Sequence, residues 1–220
     1  MKPRLITLEG GEGAGKSTLL ASVRARLEEH GIEVVVTREP GGTALGEAVR
    51  ALVLDPEQLD ICAESELLLM FAARAQLVRE VIGPSMARGA WVVSDRFTDA
   101  SYAYQGGGRG QPAGRIAELE RWAAADLKAD LTLLFDVAVA EGHERIARRK
   151  ARCPANQAGV DRIEREAPAF FDRVRACYRA RAAAEPDRFR VIDAGRPLEV
   201  VSADVARAID ALVARQGMQS

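Results

Sequence analysis

Short runs of apolar, mostly β-branched residues alternate along the chain with longer stretches whose apolar positions recur at helical spacing. This alternation predicts a parallel sheet of about five strands with helices on both faces. We find no linker or repeat, and predict one α/β domain over residues 1–220. The predicted strands are Leu5–Leu8, Glu33–Thr37, Trp91–Ser94, Leu131–Phe135 and Phe189–Ile192, the longest predicted helix is Ala63–Ala87, and the predicted loops are Gln105–Pro112 and Ala151–Gly159.

Charge and composition disfavour several classes of protein. The 220 residues carry a net charge of −1, which argues against a nucleic-acid binder that relies on bulk positive charge. No stretch approaches about 18 uninterrupted apolar residues, and the N-terminus lacks a signal-peptide pattern. The cysteines Cys62, Cys153 and Cys177 show no C-x-x-C spacing. We therefore expect a cytoplasmic protein without a membrane span, a disulfide framework or a thiolate zinc site.

A glycine-rich segment between the first predicted strand and the next helix carries the clearest chemistry. Residues 10–17 read GGEGAGKS and fit the pattern G-x-x-x-x-G-K-[ST]. Here backbone N–H groups and the helix N-terminus surround phosphate oxygens, Lys16 reaches the β- and γ-phosphates, and the Ser17 hydroxyl ligates Mg²⁺. The alternative is a flexible turn capped by a serine. The predicted nucleotide-contacting residues are Gly10, Gly11, Glu12, Gly13, Ala14, Gly15, Lys16, Ser17 and Thr18.

The helix predicted around residues 67–82 carries an arginine on its apolar face. Arg74 falls inside the apolar stripe, three residues after Phe71. Because a buried arginine needs a partner, one hypothesis is a planar ligand that stacks on Phe71 and accepts hydrogen bonds from Arg74. The alternative is an arginine that reaches solvent or forms an ion pair with a neighbouring helix.

Charged residues follow several predicted strands, where ligands bind in open α/β sheets. Asp95 could hold Mg²⁺ beside the glycine-rich segment, with Asp136 as a rival, and Arg96 could grip a phosphate. Arg38 and Arg50 could add phosphate contacts, although a solvated turn accounts for the sequence around Arg38 equally well.

Arginines and one lysine flank the predicted loop at 151–159. Such a basic segment could close over a triphosphate and neutralise charge during transfer, as an arginine finger does. A solvated basic helix end is the default alternative. The basic residues are Arg145, Arg148, Arg149, Lys150, Arg152 and Arg162.

Taken together, these segments closely resemble one family, bacterial thymidylate kinase. The matching blocks are EGGEGAGKS at 9–17, TREPGGT at 37–43, LMFAAR at 69–74, DR at 95–96 and AYQGGGRG at 103–110. DRIERE at 161–166 and DAGRPLE at 193–199 look like later blocks of the family, so the resemblance covers essentially the whole chain. It implies a P-loop kinase fold with a mobile lid at about 145–162, and an enzyme, usually a homodimer, that phosphorylates dTMP with MgATP.

The resemblance also assigns roles by position. Phe71 would stack on thymine and Arg74 would bond the edge of the base, with further residues around the base and sugar. At the sugar, Glu12 would meet the 3′-hydroxyl, and Tyr104 would crowd the 2′ position. Ser101 and Gln105 would lie around the base, and Arg38, Arg50 and Arg96 would hold the dTMP phosphate region.

One departure concerns the charge-stabilising arginine. Some members carry arginine at the cradle position that Gly13 occupies here, so in this subgroup the lid should supply it. Arg149 is the first candidate and Arg148 the second, and the loop at 195–197, with Arg196, would lie near adenine. Phe97 stands where Tyr or His is frequent, and the lid looks longer than in relatives.

The expected reaction is in-line transfer of the γ-phosphoryl group to an acceptor phosphate that is already anionic. It needs no strong general base, only positioning and charge neutralisation by Lys16, Arg96, Mg²⁺ and a lid arginine. Another nucleoside monophosphate kinase is the nearest alternative. A regulatory P-loop ATPase is a more distant one.

Overall fold

Five parallel strands form the central sheet, in the order β2-β3-β1-β4-β5. The computed structural model describes residue 2 and residues 4–57, 60–152 and 161–217. The strands are β1 (Leu5–Gly10), β2 (Val34–Arg38), β3 (Trp91–Asp95), β4 (Leu131–Asp136) and β5 (Phe189–Asp193). The helices are α1 (Lys16–Glu29), α2 (Ala44–Leu54), α3 (Ala63–Leu77), α4 (Gly83–Ala87), α5 (Thr98–Ser101), α6 (Ala113–Ala123), α7 (Val139–Arg152), α8 (Pro168–Ala184) and α9 (Leu198–Gly217).

Alternate strand residues build the core on the two faces of the sheet. Ile6 and Leu8 of β1 pack in one cluster with buried residues of α1 and α9. Leu5 and Val92 point the other way, toward a cluster that contains Leu77 at the end of α3. The β-branched, period-two pattern of the sequence produces this two-sided burial. The predicted α/β fold with a five-stranded parallel sheet is confirmed.

Two π-helical turns interrupt the helical segments. Val78–Ile82 joins α3 to α4 inside the long helix that the sequence predicted, and Tyr102–Gly108 continues α5. The prediction of a loop beginning at Gln105 was therefore wrong over its first four residues. The glycines make this turn possible, because a Cβ on Gly108 would lie 2.4 Å from the Phe170 ring of α8. The turn can pack tightly against α8 only without side chains there.

The predicted lid lies only partly within the described residues. Its first part, through Arg152, extends α7, and Asp161 and Arg162 follow on the far side. Residues 153–160, which contain Cys153 and the rest of the loop predicted at 151–159, lie outside the described residues. Across the described part of the chain, none of the helices has the length and apolar character of a membrane span.

Candidate active site

The carboxyl ends of β1, β2 and β3 open onto a cavity of about 310 Å³. It runs from the glycine-rich segment after β1 to α2 and α3, so one wall is a phosphate cradle and another is helical. Most of the predicted site residues meet here. These are Glu12, Gly13, Ala14, Gly15, Lys16, Ser17, Thr18, Arg38, Arg50, Asp95, Arg96, Tyr104, Gln105 and Arg149.

The cradle is built around the start of α1. Gly15, in the left-handed region with φ 86°, precedes Lys16, the first residue of the helix. The Lys16 ammonium donates to the carbonyl oxygens of Gly10 and Gly11 at 3.0 and 2.9 Å. Burial, followed by the charge of Arg96, lowers the pKa of Lys16 to about 8. The helix N-terminus and this cation together favour an anion at the mouth of the cradle.

Gly13 lies against the first turns of α7. Its φ is 71°, and a Cβ there would lie 2.2 Å from the carbonyl oxygen of Gly142. Position 13 therefore has no room for a side chain in this arrangement. An arginine that stabilises charge cannot come from this point of the cradle.

Arg96, directly after β3, is held by four acceptors. Its guanidinium donates to Gly10 O at 3.0 Å and the Tyr178 hydroxyl at 3.1 Å, and to Glu12 and the Tyr104 hydroxyl at 2.7 and 2.9 Å. Its backbone has φ 71°, a costly value for a residue with a side chain. The hydrogen bonds offset this strain and fix the guanidinium at the cavity wall.

The Arg96 charge also sets the state of Glu12. Burial raises the pKa of Glu12, but the charges of Arg96 and Lys16 and a hydrogen bond from Tyr104 outweigh that effect. The result is a pKa of about 2, so Glu12 is a carboxylate at neutral pH. It can accept a hydrogen bond from a ligand hydroxyl.

Three arginines share the acceptor side of the cavity. Arg38, Arg50 and Arg96 all line it. Arg38 pairs with Glu47 at 2.9 Å, and Arg50 donates to Pro40 O at 3.1 Å. Burial, together with the charges of Arg38 and Arg96, lowers the pKa of Arg50. The mutual repulsion of these positive charges marks a place where an anion such as a phosphate would be stabilised.

The structure separates Phe71 from the cavity. Phe71 packs in the core between α3 and α6, with Leu67 and Ile116. Its helical neighbour Met70 lines the cavity instead. A helix turns by about 100° per residue, so the two side chains of adjacent positions reach different surroundings.

Arg74 is buried behind this wall, and its partner is a carboxylate. Its Nε donates to Glu39 at 2.8 Å, and its Nη atoms donate to the Ser101 hydroxyl and Phe97 O at 2.9 and 3.1 Å. The guanidinium also lies 4.5 Å from the Phe71 ring centroid. Phe71, Arg74 and Ser101 thus form a buried group behind the cavity wall. Arg74 forms the ion pair that the alternative hypothesis required, although with the loop after β2 and not with a helix.

The carboxylates of Asp95 and Asp136 differ in their hydrogen bonds. Asp136 makes two hydrogen bonds with Arg175, at 2.6 and 3.0 Å, and lies nearer a second, much smaller cavity. Asp95 lines the main cavity, and its buried Oδ1 has no hydrogen-bond partner within the part of the chain that the structure describes. Asp95 is therefore the better candidate for a metal position.

The basic residues of α7 and the segment beyond it point in different directions. Arg149 lines the cavity, whereas Arg148 is 68% exposed and pairs with Glu144. Arg162 is buried and paired with Glu66, so it is a structural residue here. Arg196 lies outside the cavity, 51% exposed and 3.5 Å from Asp204. The side chains of Lys150 and Arg152 lie outside the described atoms.

Comparison with known proteins identifies the family. A family model described as thymidylate kinase matches residues 8–205. The chain belongs to the thymidylate kinase family. It is 54% identical to the thymidylate kinase of Methylococcus capsulatus, over 96% of this chain and 97% of the relative. The protein of that name from Alcanivorax borkumensis is 50% identical, over 97% of this chain and 99% of the relative.

Membership of the thymidylate kinase family confirms the resemblance predicted from the sequence blocks. The glycine-rich cradle is accordingly the P-loop of a family of kinases. The alternative of a regulatory ATPase loses its support, because the match extends from β1 into α9.

Four residues around this kinase site were not singled out from the sequence. Met70 and Glu39 line the cavity, whereas Glu66 and Tyr178 are buried behind it. A signal existed for one pair, because Glu66 and Met70 stand four residues apart and share a helix face. Glu39 lies inside the TREPGGT block at 37–43, but no role was predicted for its carboxylate. For Tyr178 no local pattern distinguished the residue from an ordinary core tyrosine.

Proposed function

We propose that this protein transfers the γ-phosphoryl group of ATP to the 5′-phosphate of dTMP, giving dTDP and ADP for dTTP supply. The observation that carries the proposal is the single cavity that joins the P-loop to the arginine cluster of Arg38, Arg50 and Arg96. One end suits a triphosphate and the other a monophosphate acceptor. Family membership supplies the identity of the two nucleotides.

The residues of the chain would act by position and charge. Lys16 would leave the carbonyl oxygens that it now contacts and bind the β- and γ-phosphates. Arg96, held by Glu12 and two tyrosines, would neutralise charge between donor and acceptor. The acceptor phosphate is itself the nucleophile and is already anionic. The site therefore needs no general base.

A cation would complete the charge balance of this site. No group of three or more His, Cys, Asp or Glu residues in the described part of the chain could hold a metal by itself. That fits Mg²⁺, which binds one or two protein oxygens together with substrate phosphates. Ser17 and the unpartnered oxygen of Asp95 would hold it, and it would neutralise phosphate charge when bound.

Arg149 is the best candidate for the lid arginine. It lines the cavity, and Glu12 feels its charge. The cradle cannot supply this group at Gly13, because a side chain there would collide with Gly142. Arg148 points away and is paired, and Arg162 is occupied by Glu66.

For the base we propose Met70 as the contacting side chain in place of Phe71. Met70 lines the cavity near Gln105, while Phe71 is 3% exposed in the core. A thioether can pack on the face of an aromatic base. Arg74 and Ser101 would support this wall from behind, with Arg74 held by Glu39. Arg196 would approach adenine only from outside the described cavity.

The proposal is tested by ADP release in a coupled assay with MgATP. The acceptors dTMP, dUMP, dCMP, UMP and dAMP are offered separately, beside a reaction without acceptor. We expect fast turnover with dTMP, weaker turnover with dUMP and rates near background with the others. Equal ATP consumption with every acceptor and without one would reject the kinase proposal.

We also propose that the protein works as a homodimer in the cytoplasm, where ATP and nucleotides for DNA synthesis are available. On α6, Trp122 is 85% exposed, and on the adjoining α3, Leu68 is 56% exposed. Such side chains are typical of covered interfaces. Light scattering should give twice the 23.8 kDa chain mass, and a monomer at all concentrations would contradict the dimer.

A further inference from the structure

We propose that Glu66 is a positioning residue that fixes the orientation of the Gln105 amide and thereby selects pyrimidines that carry a hydrogen on N3. This inference rests on the proposed function, in which Gln105 lies beside the base of dTMP. It adds the group that decides which end of the amide the base meets.

The two ends of the Gln105 amide are in different situations. Gln105 belongs to the π-helical turn and lines the cavity, with only 1% of its surface exposed. Its Nε2 donates to Glu66 at 2.9 Å. Its Oε1 is buried and has no hydrogen-bond partner in the described ranges of the chain. A buried acceptor without a partner is unfavourable, so a ligand donor at this wall would be stabilised.

Glu66 fixes the amide in this orientation when it is an ionised carboxylate, because a neutral carboxyl group could also donate to Gln105. Two arginines surround it: Arg162 donates from Nη2, and Arg109 lies at 3.2 Å. Burial raises the pKa of Glu66, but the hydrogen bonds from Gln105 and Arg162 and the charge of Arg109 more than offset it, and the pKa falls below its usual value. A carboxylate accepts hydrogen bonds and cannot donate them. Gln105 must therefore turn its NH₂ group toward Glu66.

Arg162 is itself fixed to α2. Its Nε donates to Val53 O at 2.9 Å, and its backbone N–H donates to Leu54 O at 3.0 Å. The carboxylate of Glu66 is thus held from two sides and does not rotate freely. The orientation of Gln105 follows from this buried cluster and not from the cavity.

The consequence for the base follows from the hydrogen-bonding capacity of N3. Thymine and uracil carry N3–H, a donor that would pair with the free Oε1 of Gln105. Cytosine presents N3 as an acceptor, which would face another acceptor and leave both buried without a partner. Such a site discriminates against a base with mismatched hydrogen bonding far more strongly than against a base that differs only by a methyl group.

The test is Glu66→Gln, measured by kcat/KM for dTMP and for dCMP. The new amide keeps its oxygen toward Arg109 and Arg162, so its NH₂ group faces Gln105. Gln105 must then turn its oxygen inward and leave its NH₂ for the ligand, which suits cytosine. We expect the dTMP-to-dCMP ratio of kcat/KM to fall on the order of 100-fold, through loss with dTMP and gain with dCMP.

Glu64→Gln is the matched control, because it removes the same charge two residues earlier on α3. The Glu64 side chain is 59% exposed and accepts from Gln111, away from the base. It should leave the ratio unchanged. A Glu66→Gln protein that melts cooperatively and keeps the wild-type ratio would overturn the inference. Failure of the wild-type protein to use dTMP at all would instead reject the proposed function.

If the Glu66→Gln protein does not fold, the Gln105→Leu variant provides a second test of the inference. It removes both ends of the amide and leaves the carboxylate with its two arginines. We expect a raised KM for dTMP and no gain with dCMP. A wild-type KM for dTMP in this variant would show that the amide oxygen does not meet the base.

Discussion

The phosphate end and the base end of the cavity are built in different ways. At the phosphate end, Lys16 bonds to carbonyl groups only five and six residues away, and one continuous segment forms the cradle. At the base end, Gln105 depends on Glu66, which depends on Arg162, across 39 and 96 residues of sequence. A local motif therefore builds the P-loop, whereas long-range contacts orient Gln105 at the base end.

This difference separates two kinds of functional effect. Groups at the phosphate end would meet charge that develops during transfer, so their removal should lower kcat. Groups at the base end would contact a part of dTMP that does not react. Their removal should change KM and the choice of base.

The largest effect is expected for Lys16→Met. Loss of the cation that faces the β- and γ-phosphates should lower kcat on the order of 1000-fold or more. The measurement is steady-state ADP release with dTMP, with thermal melting to show that the fold is retained. A variant that keeps more than about a tenth of the wild-type rate would refute the role of the P-loop lysine.

Arg149→Ala should produce the next largest effect. We expect kcat to fall about 100-fold while KM for dTMP changes little, because the charge is needed mainly in the transition state. Arg148→Ala is the matched control, since Arg148 is exposed and paired with Glu144. The two variants are compared in the same assay. Equal kcat values for them would move the role away from Arg149.

The lowered pKa of Lys16 predicts a pH dependence of ATP binding. Burial makes the free protein lose the Lys16 proton around pH 8, whereas bound phosphates favour the charged form. Affinity for ATP is therefore highest at a pH below 8, where Lys16 is charged, and it weakens as the pH rises above 8. Between pH 7 and pH 9 the dissociation constant should rise about tenfold in calorimetric titrations.

Lys16→Arg provides the comparison for this pH effect, because arginine keeps its charge over the whole range. Its affinity is expected to be lower than wild type but flat between pH 7 and pH 9. A wild-type dissociation constant that does not change with pH would contradict the titration of Lys16.

The smallest effect is expected at the base, and it distinguishes Met70 from Phe71. Met70→Ala should raise KM for dTMP about fivefold with little change in kcat, because apolar contact with the base is lost. Phe71→Leu should instead lower the melting temperature and leave KM nearly unchanged, since Phe71 packs in the core. A raised KM for Phe71→Leu together with an unchanged KM for Met70→Ala would instead assign the base contact to Phe71.

Periodicity in the sequence predicted the strands and long helices, because burial on both faces of a parallel sheet leaves continuous apolar runs. It failed at the π-helical turn, where Gly106, Gly107 and Gly108 look like a loop. Close contacts with α8, which is distant in sequence, decide that these glycines form a tight turn, with Gly107 against Cys177 and Gly108 against Phe170.

The sequence by itself determined the fold class, the P-loop and the family, because each depends on short contiguous patterns. The tertiary structure decided which side chains line the cavity. Whether Met70 or Phe71 lines the cavity depends on how α3 packs against α6, and Arg162 is unavailable because it pairs with Glu66. Packing and ion pairing between distant segments set these choices, and neither is encoded in local spacing.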